Sequence, residues 1–308
     1  MIYDTIIVGG GPAGLNAALV LGRCRRRVLV FDSGKYRNAA SDGVHGFLTR
    51  DGTPPSELLG IAREQLKPYA VELRHAEVRG ACPDESGFRV TLEDGSEYCS
   101  RKLMLATGVT DKIPKLEGLE PLYGKSVHHC PYCDGFEYGD QAIAVYGRQI
   151  HGYSLALALK NWSTDVVLVT DGQSGLNAKQ RQVLKQLDIR VITTKIARLE
   201  GDEGRLRQIK FVKGDPIDRK ALFFSTGQDQ CCDLPKMLGC VFTRKGAVET
   251  SRRQETNVPG LYVVGDASRD VQFVIVAAAE GAKAAEAINE ALMKEDRAAA
   301  LREVQSRK

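Results

Sequence analysis

The sequence contains no apolar run approaching the roughly 18 residues that cross a bilayer, so no membrane span is expected. Charge of one sign is also missing: 43 Lys and Arg against 39 Asp and Glu leave a net +4 over 308 residues. Aromatics are sparse, at 6% with a single tryptophan. A nucleic-acid surface would need basic stripes interleaved with aromatics. The one basic run, Arg23 to Arg27, reads instead as a solvated helix end ahead of a buried strand. There are only five histidines and no H-x-x-x-H, and one C-x-x-C stands without a second, so no metal site is expected. The eight cysteines are mostly scattered singly, which suits a reducing compartment, and the cytoplasm is the expected one. Because a strand begins almost at the first residue, no cleavable leader is expected.

What is present is 43% hydrophobic residues and 31 glycines, the composition of a globular α/β protein long enough for two domains. Thr5-Ile6-Ile7-Val8 is a continuous apolar run, as expected for a strand buried on both faces. It runs into Gly9-Gly10-Gly11-Pro12-Ala13-Gly14 and an Ala/Leu-rich helix from Leu15 to about Arg23. Gly9 suits a tight turn, Gly11 a close approach of backbone to a pyrophosphate, and Gly14 close packing of helix on strand. The next strand, Val28 to Phe31, ends at Asp32, where a carboxylate can bond ribose hydroxyls. A long polar loop over residues 35–60 contains Arg37-Asn38 and His45-Gly46-Phe47-Leu48 and suits the wrapping of a cofactor. A helix is expected from Ser56, its candidate N-cap, to Leu66. A hairpin turns at Glu93-Asp94-Gly95, and a strand ends in Ala106-Thr107-Gly108.

The middle of the chain repeats this plan. Ala142 to Tyr146 is a strand, Gly147-Arg148-Gln149-Ile150-His151-Gly152 a turn, Tyr153 to Lys160 a helix, and Val166 to Val169 a strand ending at Thr170-Asp171. A hairpin near Lys213 to Pro216 and a strand Ala221 to Phe224, ending in Ser225-Thr226-Gly227, complete the duplicate. Here Gln149 stands where the middle glycine would be, so a side chain faces any approaching pyrophosphate. Gly265-Asp266 again ends a strand, Gln272-Phe273 follow, and a helix is expected from Ile275 to about Met293, with a charged, fraying tail to Lys308.

Between the two repeats lies His128-His129-Cys130-Pro131-Tyr132-Cys133-Asp134. Two cysteines at this spacing can shuttle between dithiol and disulfide, and Asp134 is close enough to move the proton that exchange requires. His128 and His129 are candidates to tune the thiolate or act as base. Half of a zinc site or two core cysteines remain alternatives. Cys231-Cys232 is weighed as an auxiliary thiol pair, and the other cysteines as small core hydrophobes.

In the order Gly9–Gly14, Ala106-Thr107-Gly108, Cys130–Asp134 and Gly265-Asp266, these motifs resemble the low-molecular-weight thioredoxin reductase-type flavoproteins over residues 3 to 293. Arg37-Asn38 and His45 to Leu48, taken with the cysteine motif, resemble its atypical branch. That branch holds thiol oxidases and pyridine-nucleotide-independent members. The resemblance implies two Rossmann-like three-layer dinucleotide-binding domains, the second inserted in the first. An FAD domain would comprise residues 1–114 plus 245–308, and the insert 115–244 would carry the redox pair. FAD contacts are implied at Gly9, Gly11, Pro12, Ala13, Gly14, Asp32, Ser33, Arg37, Asn38, His45, Thr107, Gly108, Gly265, Asp266, Gln272 and Phe273. Cys133 would face the flavin, Cys130 the substrate, with Asp134 and His129 as acid–base groups. Gly147, Gln149, Gly152 and Asp171 mark a second dinucleotide site lacking the family's NADPH signature. It would hold NADH or a second flavin, if any nucleotide. The expected function is FAD-dependent exchange with a dithiol or disulfide substrate, small or thioredoxin-like. The electrons would come from NADH, a ferredoxin- or flavodoxin-type protein, or the second flavin. A thiol oxidase using oxygen and a non-catalytic flavin redox sensor are the alternatives. A homodimer is implied, with neither nucleic acid nor membrane as partner.

Overall fold

The computed structural model describes residues 2–268 and 271–306. The first unit opens with β1 (Ile2–Val8), α1 (Pro12–Arg23), β2 (Val28–Asp32), α2 (Pro55–Leu66) and β3 (Val71–His75). It continues through β4 (Val78–Asp84), β5 (Gly87–Leu92) and β6 (Glu97–Leu105) to β7 (Val109–Asp111). The second unit holds β8 (Val127–His128), α3 (Pro131–Asp134), β9 (Ile143–Tyr146), α4 (Gln149–Leu159), β10 (Val166–Val169) and α5 (Ala178–Gln186). Its later elements are β11 (Arg190–Ile192), β12 (Ile196–Asp202), β13 (Arg205–Phe211), β14 (Ile217–Asp218) and β15 (Ala221–Phe224). The chain then returns through β16 (Gln228–Gln230), α6 (Leu234–Met237), β17 (Leu261–Val263) and α7 (Val274–Ser306).

In the first sheet the order is β3-β2-β1-β6-β5-β4, with β17 alongside β6. The apolar runs that predict its central strands divide between two cores, because successive side chains point to opposite faces. Ile6, Val8, Leu29 and Phe31 pack with Phe88 and Val90 of the antiparallel hairpin. Ile7, Val28 and Val30 pack against α1, α2 and α7. Each fully buried side chain of this kind is stabilised by roughly 1.5–3 kcal/mol relative to exposure. The second unit repeats the arrangement. Its parallel sheet β11-β10-β9-β15-β8 buries Val145, Leu168 and Phe223 against α4 and α5, and Ala144, Val167 and Leu222 against the sheet β12-β13-β14. The expected three-layer α/β architecture, duplicated, is what the chain adopts.

Between the units the chain crosses at the antiparallel ribbon β7–β16, where Asp111 lies opposite Gln228. Leu234, Leu238 and Cys240 belong to the hydrophobic core of the first unit. Helix α6 packs there because it carries an apolar face that the first sheet covers.

Three local expectations change. Helix α2 starts at Pro55 with no side-chain cap, and Ser56 lies within its first turn. Helix α4 starts at Gln149, four residues early. Helix α7 runs on to Ser306 because its charged stretch is held. Arg26 and Arg101 each reach Asp296 at 2.7 Å, and Arg101 also reaches Glu295 at 2.9 Å. Arg307 and Lys308 lie outside the described residues. α7 crosses α1 at Gly281, where a Cβ would come within 2.1 Å of the Ala13 carbonyl oxygen.

Candidate active site

The first glycine turn has the geometry its sequence predicts. Gly9 has φ +115°, and a Cβ there would lie 2.2 Å from the Ala106 carbonyl. A Cβ on Gly14 would meet Gly9 O at 1.9 Å, whereas one on Gly11 would meet nothing within 4 Å. Gly11 is the N-cap of α1 and no side chain caps that helix among the described residues. An open backbone turn thus faces a helix end whose first N–H groups lack helical partners, which fits a pyrophosphate. Pro12 and Ala13 begin the helix, and Gly265 contacts it: a Cβ on Gly265 would lie 3.3 Å from Ala13 Cβ. Thr107 Oγ1 is buried without a nitrogen or oxygen partner, close to the Cys232 thiol. Gly108 O accepts from Cys231 N. These features fit FAD along the edge of the first sheet.

Asp32 ends β2 as expected, but its carboxylate already accepts from the Tyr36 hydroxyl, from Arg63 Nη2 at 3.1 Å and from Gly34 N at 3.0 Å. Ser33 follows it directly, and Asn38 opens a turn in which its carbonyl accepts from Ser41 N. His45 lies away from this cradle: its Nε2 is 3.5 Å from Glu137 and its Nδ1 3.8 Å from Asp51.

Arg37 is the hub. Its Nε and Nη2 donate to Asp111 at 2.8 and 2.6 Å, and its Nη1 donates to Asp266 at 2.7 Å and to Gln272 at 2.6 Å. Asp111 also accepts from the Tyr123 hydroxyl at 3.0 Å and lies 3.7 Å from His129 Nδ1. One guanidinium therefore ties Asp266 and Gln272 to the histidine beside the cysteine pair. Burial alone would raise the Asp111 carboxyl, but the bonds from Arg37, the nearby His129 and the Tyr123 hydroxyl outweigh it and hold the group below its usual range. Sequence reading named Arg37 but not Asp111 or Tyr123, since an Asp that ends a three-residue strand carries no local signal.

Cys130 and Cys133 form a disulfide, with Cα atoms 5.3 Å apart. Cys130 is the N-cap of α3, and its carbonyl accepts from Cys133 N and Asp134 N, both at 3.2 Å. Tyr132 stands edge-on to Trp162 and to Phe273, with ring centroids 5.5 and 6.4 Å away. The Phe273 contact sets the cysteine turn against the segment that leads into α7. His128 is buried under the same turn, with Nδ1 3.3 Å from Asp134 Oδ1. Cys231 is exposed and Cys232 partly buried, both free, and burial pushes the Cys232 thiol up, which suits an inert thiol better than a nucleophile. No cluster able to hold a metal ion occurs among the described residues.

Burial, joined by the charge of Arg37, lowers His129 below the usual histidine value despite the opposing pull of Asp111. Its folded-state value thus lies under its unfolded one. The neutral ring contributes stability fully above about 6.5, and that contribution is lost as pH falls below it. The thermal midpoint should therefore fall between pH 7 and 5, and His129→Gln should flatten that slope. An unchanged slope in the variant would remove His129 from the account.

The second glycine turn is closed by the chain itself. Gln149 sits at φ +51°, its N–H donates to Ser174 O at 2.8 Å, and its Cγ would touch a Cβ on Gly175 at 2.7 Å. Arg148 Nε donates to Thr170 O at 2.7 Å, and Asp171 Oδ1 accepts from Ile196 N at 2.8 Å. Gly147 and Gly152 pack on each other, with a Cβ on Gly152 only 2.5 Å from Gly147 C. The amide that would greet a pyrophosphate and the carboxylate that would greet a ribose are both engaged within the protein. The Gln149 side chain and an engaged Asp171 oxygen thus stand where the first turn has an open backbone at Gly11.

Residues 3–281 match the family model for pyridine nucleotide-disulphide oxidoreductases. A thioredoxin reductase of Claviceps purpurea, tcpT, is 32% identical over 280 residues, covering 86% of each chain. Among solved structures, HlmI is 36% identical with a TM-score of 0.94, covering 99% of this chain and 97% of its own. An oxidoreductase from Agrobacterium tumefaciens is 32% identical with a TM-score of 0.88, covering 95% and 99%. With the glycine cradle, the cysteine pair and the duplicated sheet all in register, the chain belongs to the thioredoxin reductase-type pyridine nucleotide-disulphide oxidoreductases and is a flavin-dependent disulfide oxidoreductase.

Proposed function

We propose that this enzyme passes electrons through Cys130–Cys133 to an external disulfide, from a donor other than a nucleotide held at Gly147–Gly152. The observation that carries this reading is the closed second turn, with Gln149 N–H on Ser174 O and Asp171 on Ile196 N. FAD, held by Gly9, Gly11, Gly14, Asp32, Asp266 and Gln272, supplies the two-electron exchange with the disulfide. The protein's own residues do the remainder. Pro131 restricts the ring, Cys133 faces inward, Cys130 meets the substrate, and Asp134 handles protons. The donor is then a small redox protein of ferredoxin or flavodoxin type, or a dithiol.

Anaerobic titration of the yellow protein, following flavin absorbance, tests this. Dithiothreitol should bleach the flavin stoichiometrically, whereas NADPH and NADH at the same concentration should be slower by about 100-fold or more. Rapid bleaching by either nucleotide would sink the reading. Vigorous oxygen consumption with dithiothreitol, and no turnover with a reduced ferredoxin, would reverse the direction to thiol oxidation.

A further inference from the structure

We propose that His128 and Asp134 hold one proton between them beside the redox pair, making His128 the positioning residue for the acid that protonates the departing thiolate. The inference rests on the reading that Cys130–Cys133 exchanges with an external disulfide.

The argument is one of donors and acceptors. Tyr138 Oη is 2.5 Å from Lys125 O, a carbonyl that only accepts, so the hydroxyl proton is committed there. Burial pushes the Tyr138 hydroxyl up to about 12, so it keeps that proton at neutral pH. His128 Nε2 lies 3.3 Å from the same oxygen. With the hydroxyl hydrogen spent on Lys125 O, this contact is bonding only if Nε2 carries the hydrogen and donates it. Nδ1 is then the basic nitrogen of the ring, and it faces Asp134 Oδ1 at 3.3 Å. That contact is an ion pair once the ring takes a proton on Nδ1, so the two groups together hold one proton, whether drawn as imidazolium and carboxylate or as imidazole and carboxylic acid. The ring cannot turn away. It is 5% exposed and packed against Tyr138 and Phe223, with centroids 5.5 and 5.4 Å away.

In the direction of disulfide reduction, the Cys130 thiolate attacks one sulfur of the external disulfide. A Cys130–substrate S–S bond forms as the substrate's S–S bond breaks, and the departing thiolate takes the shared proton. Cys133 gives its thiol proton to the emptied His128–Asp134 couple and attacks Cys130. The intramolecular disulfide closes, and the second substrate thiolate leaves with that proton. Two electrons and two protons have passed to the substrate, and solvent refills the couple. Thiol oxidation is the same sequence reversed.

The proton matters only where the leaving thiolate is basic. FAD-loaded enzyme is reduced anaerobically with dithiothreitol, desalted, and mixed with either hydroxyethyl disulfide, whose alkyl thiolate needs a proton, or 5,5′-dithiobis(2-nitrobenzoate), whose aromatic thiolate leaves without one. His128→Gln should slow the alkyl reaction by about ten-fold or more, within the range general acids contribute, and leave the aromatic one within about two-fold. Tyr138→Phe keeps the buried shape but removes the oxygen that fixes the tautomer, and should show the same selectivity more weakly. Equal losses on both disulfides, or none on either, in a variant that retains flavin would overturn the proposal. Wild-type enzyme inert to both would overturn the functional reading beneath it.

Discussion

Cys130→Ser should lower disulfide exchange by about 10³-fold or more, in line with removal of a nucleophile, while the flavin spectrum stays that of the parent. The hydroxyl has no thiolate state near neutral pH and forms no S–S bond, so the loss is one of covalent chemistry and not of packing. Cys130 caps a single turn with its backbone, and its carbonyl bonds to Cys133 N and Asp134 N survive the exchange of sulfur for oxygen. Cys133→Ser gives the complementary result. Cys130 can still attack, but nothing displaces the substrate from it, so a mixed disulfide should accumulate and appear as an added mass. Parental turnover in Cys130→Ser would refute the assigned order of the two sulfurs and the role of the pair.

The second large effect concerns stability. Arg37→Met should cost about 3–5 kcal/mol, the range for breaking a buried ion pair from one side. The Arg37 and Asp111 side chains are 16% and 6% exposed, and removal of the guanidinium leaves the Asp111 carboxylate with the Tyr123 hydroxyl and a His129 ring that is neutral at pH 7. Asp111 titrates below its unfolded value in the parent, so its contribution is present above about pH 4 and is lost as pH falls through the folded value. The gap between parent and variant should therefore be wide at pH 7 and narrow in acid. Urea midpoints at several pH values would measure it; comparison of midpoints is preferable because a two-unit chain need not unfold in one step. The double variant Arg37→Met with Asp111→Asn should be more stable than Arg37→Met alone. A variant as stable as the parent at pH 7 would show the network to be surface ornament.

Much of this arrangement is legible in the sequence where chemistry and chain order coincide. The first glycine turn is local: strand, turn and helix are contiguous, and each glycine has a separate steric task. The cysteine pair is local for the same reason. The duplication is legible because Val166–Val169 and Ala221–Phe224 repeat a pattern already met. What the sequence hides is long-range. Arg37 meets partners 74 and 229 residues away, and no spacing rule connects them. Gln149 signals a damaged cradle, but not that Ser174 and Ile196 supply the groups that close it. His128 and His129 look alike in sequence, yet His128, at the end of β8, lies by Asp134 and His129, just past it, lies by Asp111. Helix α5, with few buried positions, has too weak an apolar stripe to announce itself.

The close crossing of α1 and α7 at Gly281 has a consequence for biosynthesis. The helix that presents the flavin cradle is made among the first 23 residues, yet its packing face waits for residues 281–292, which bury Ala284, Ala285, Ile288 and Leu292 against it. The second unit has all its strands by residue 224. On a translating ribosome the insert is therefore complete while its frame still lacks α6, β17 and α7. The order of assembly runs from the inside of the sequence outward, with the redox turn formed before the cradle that serves it.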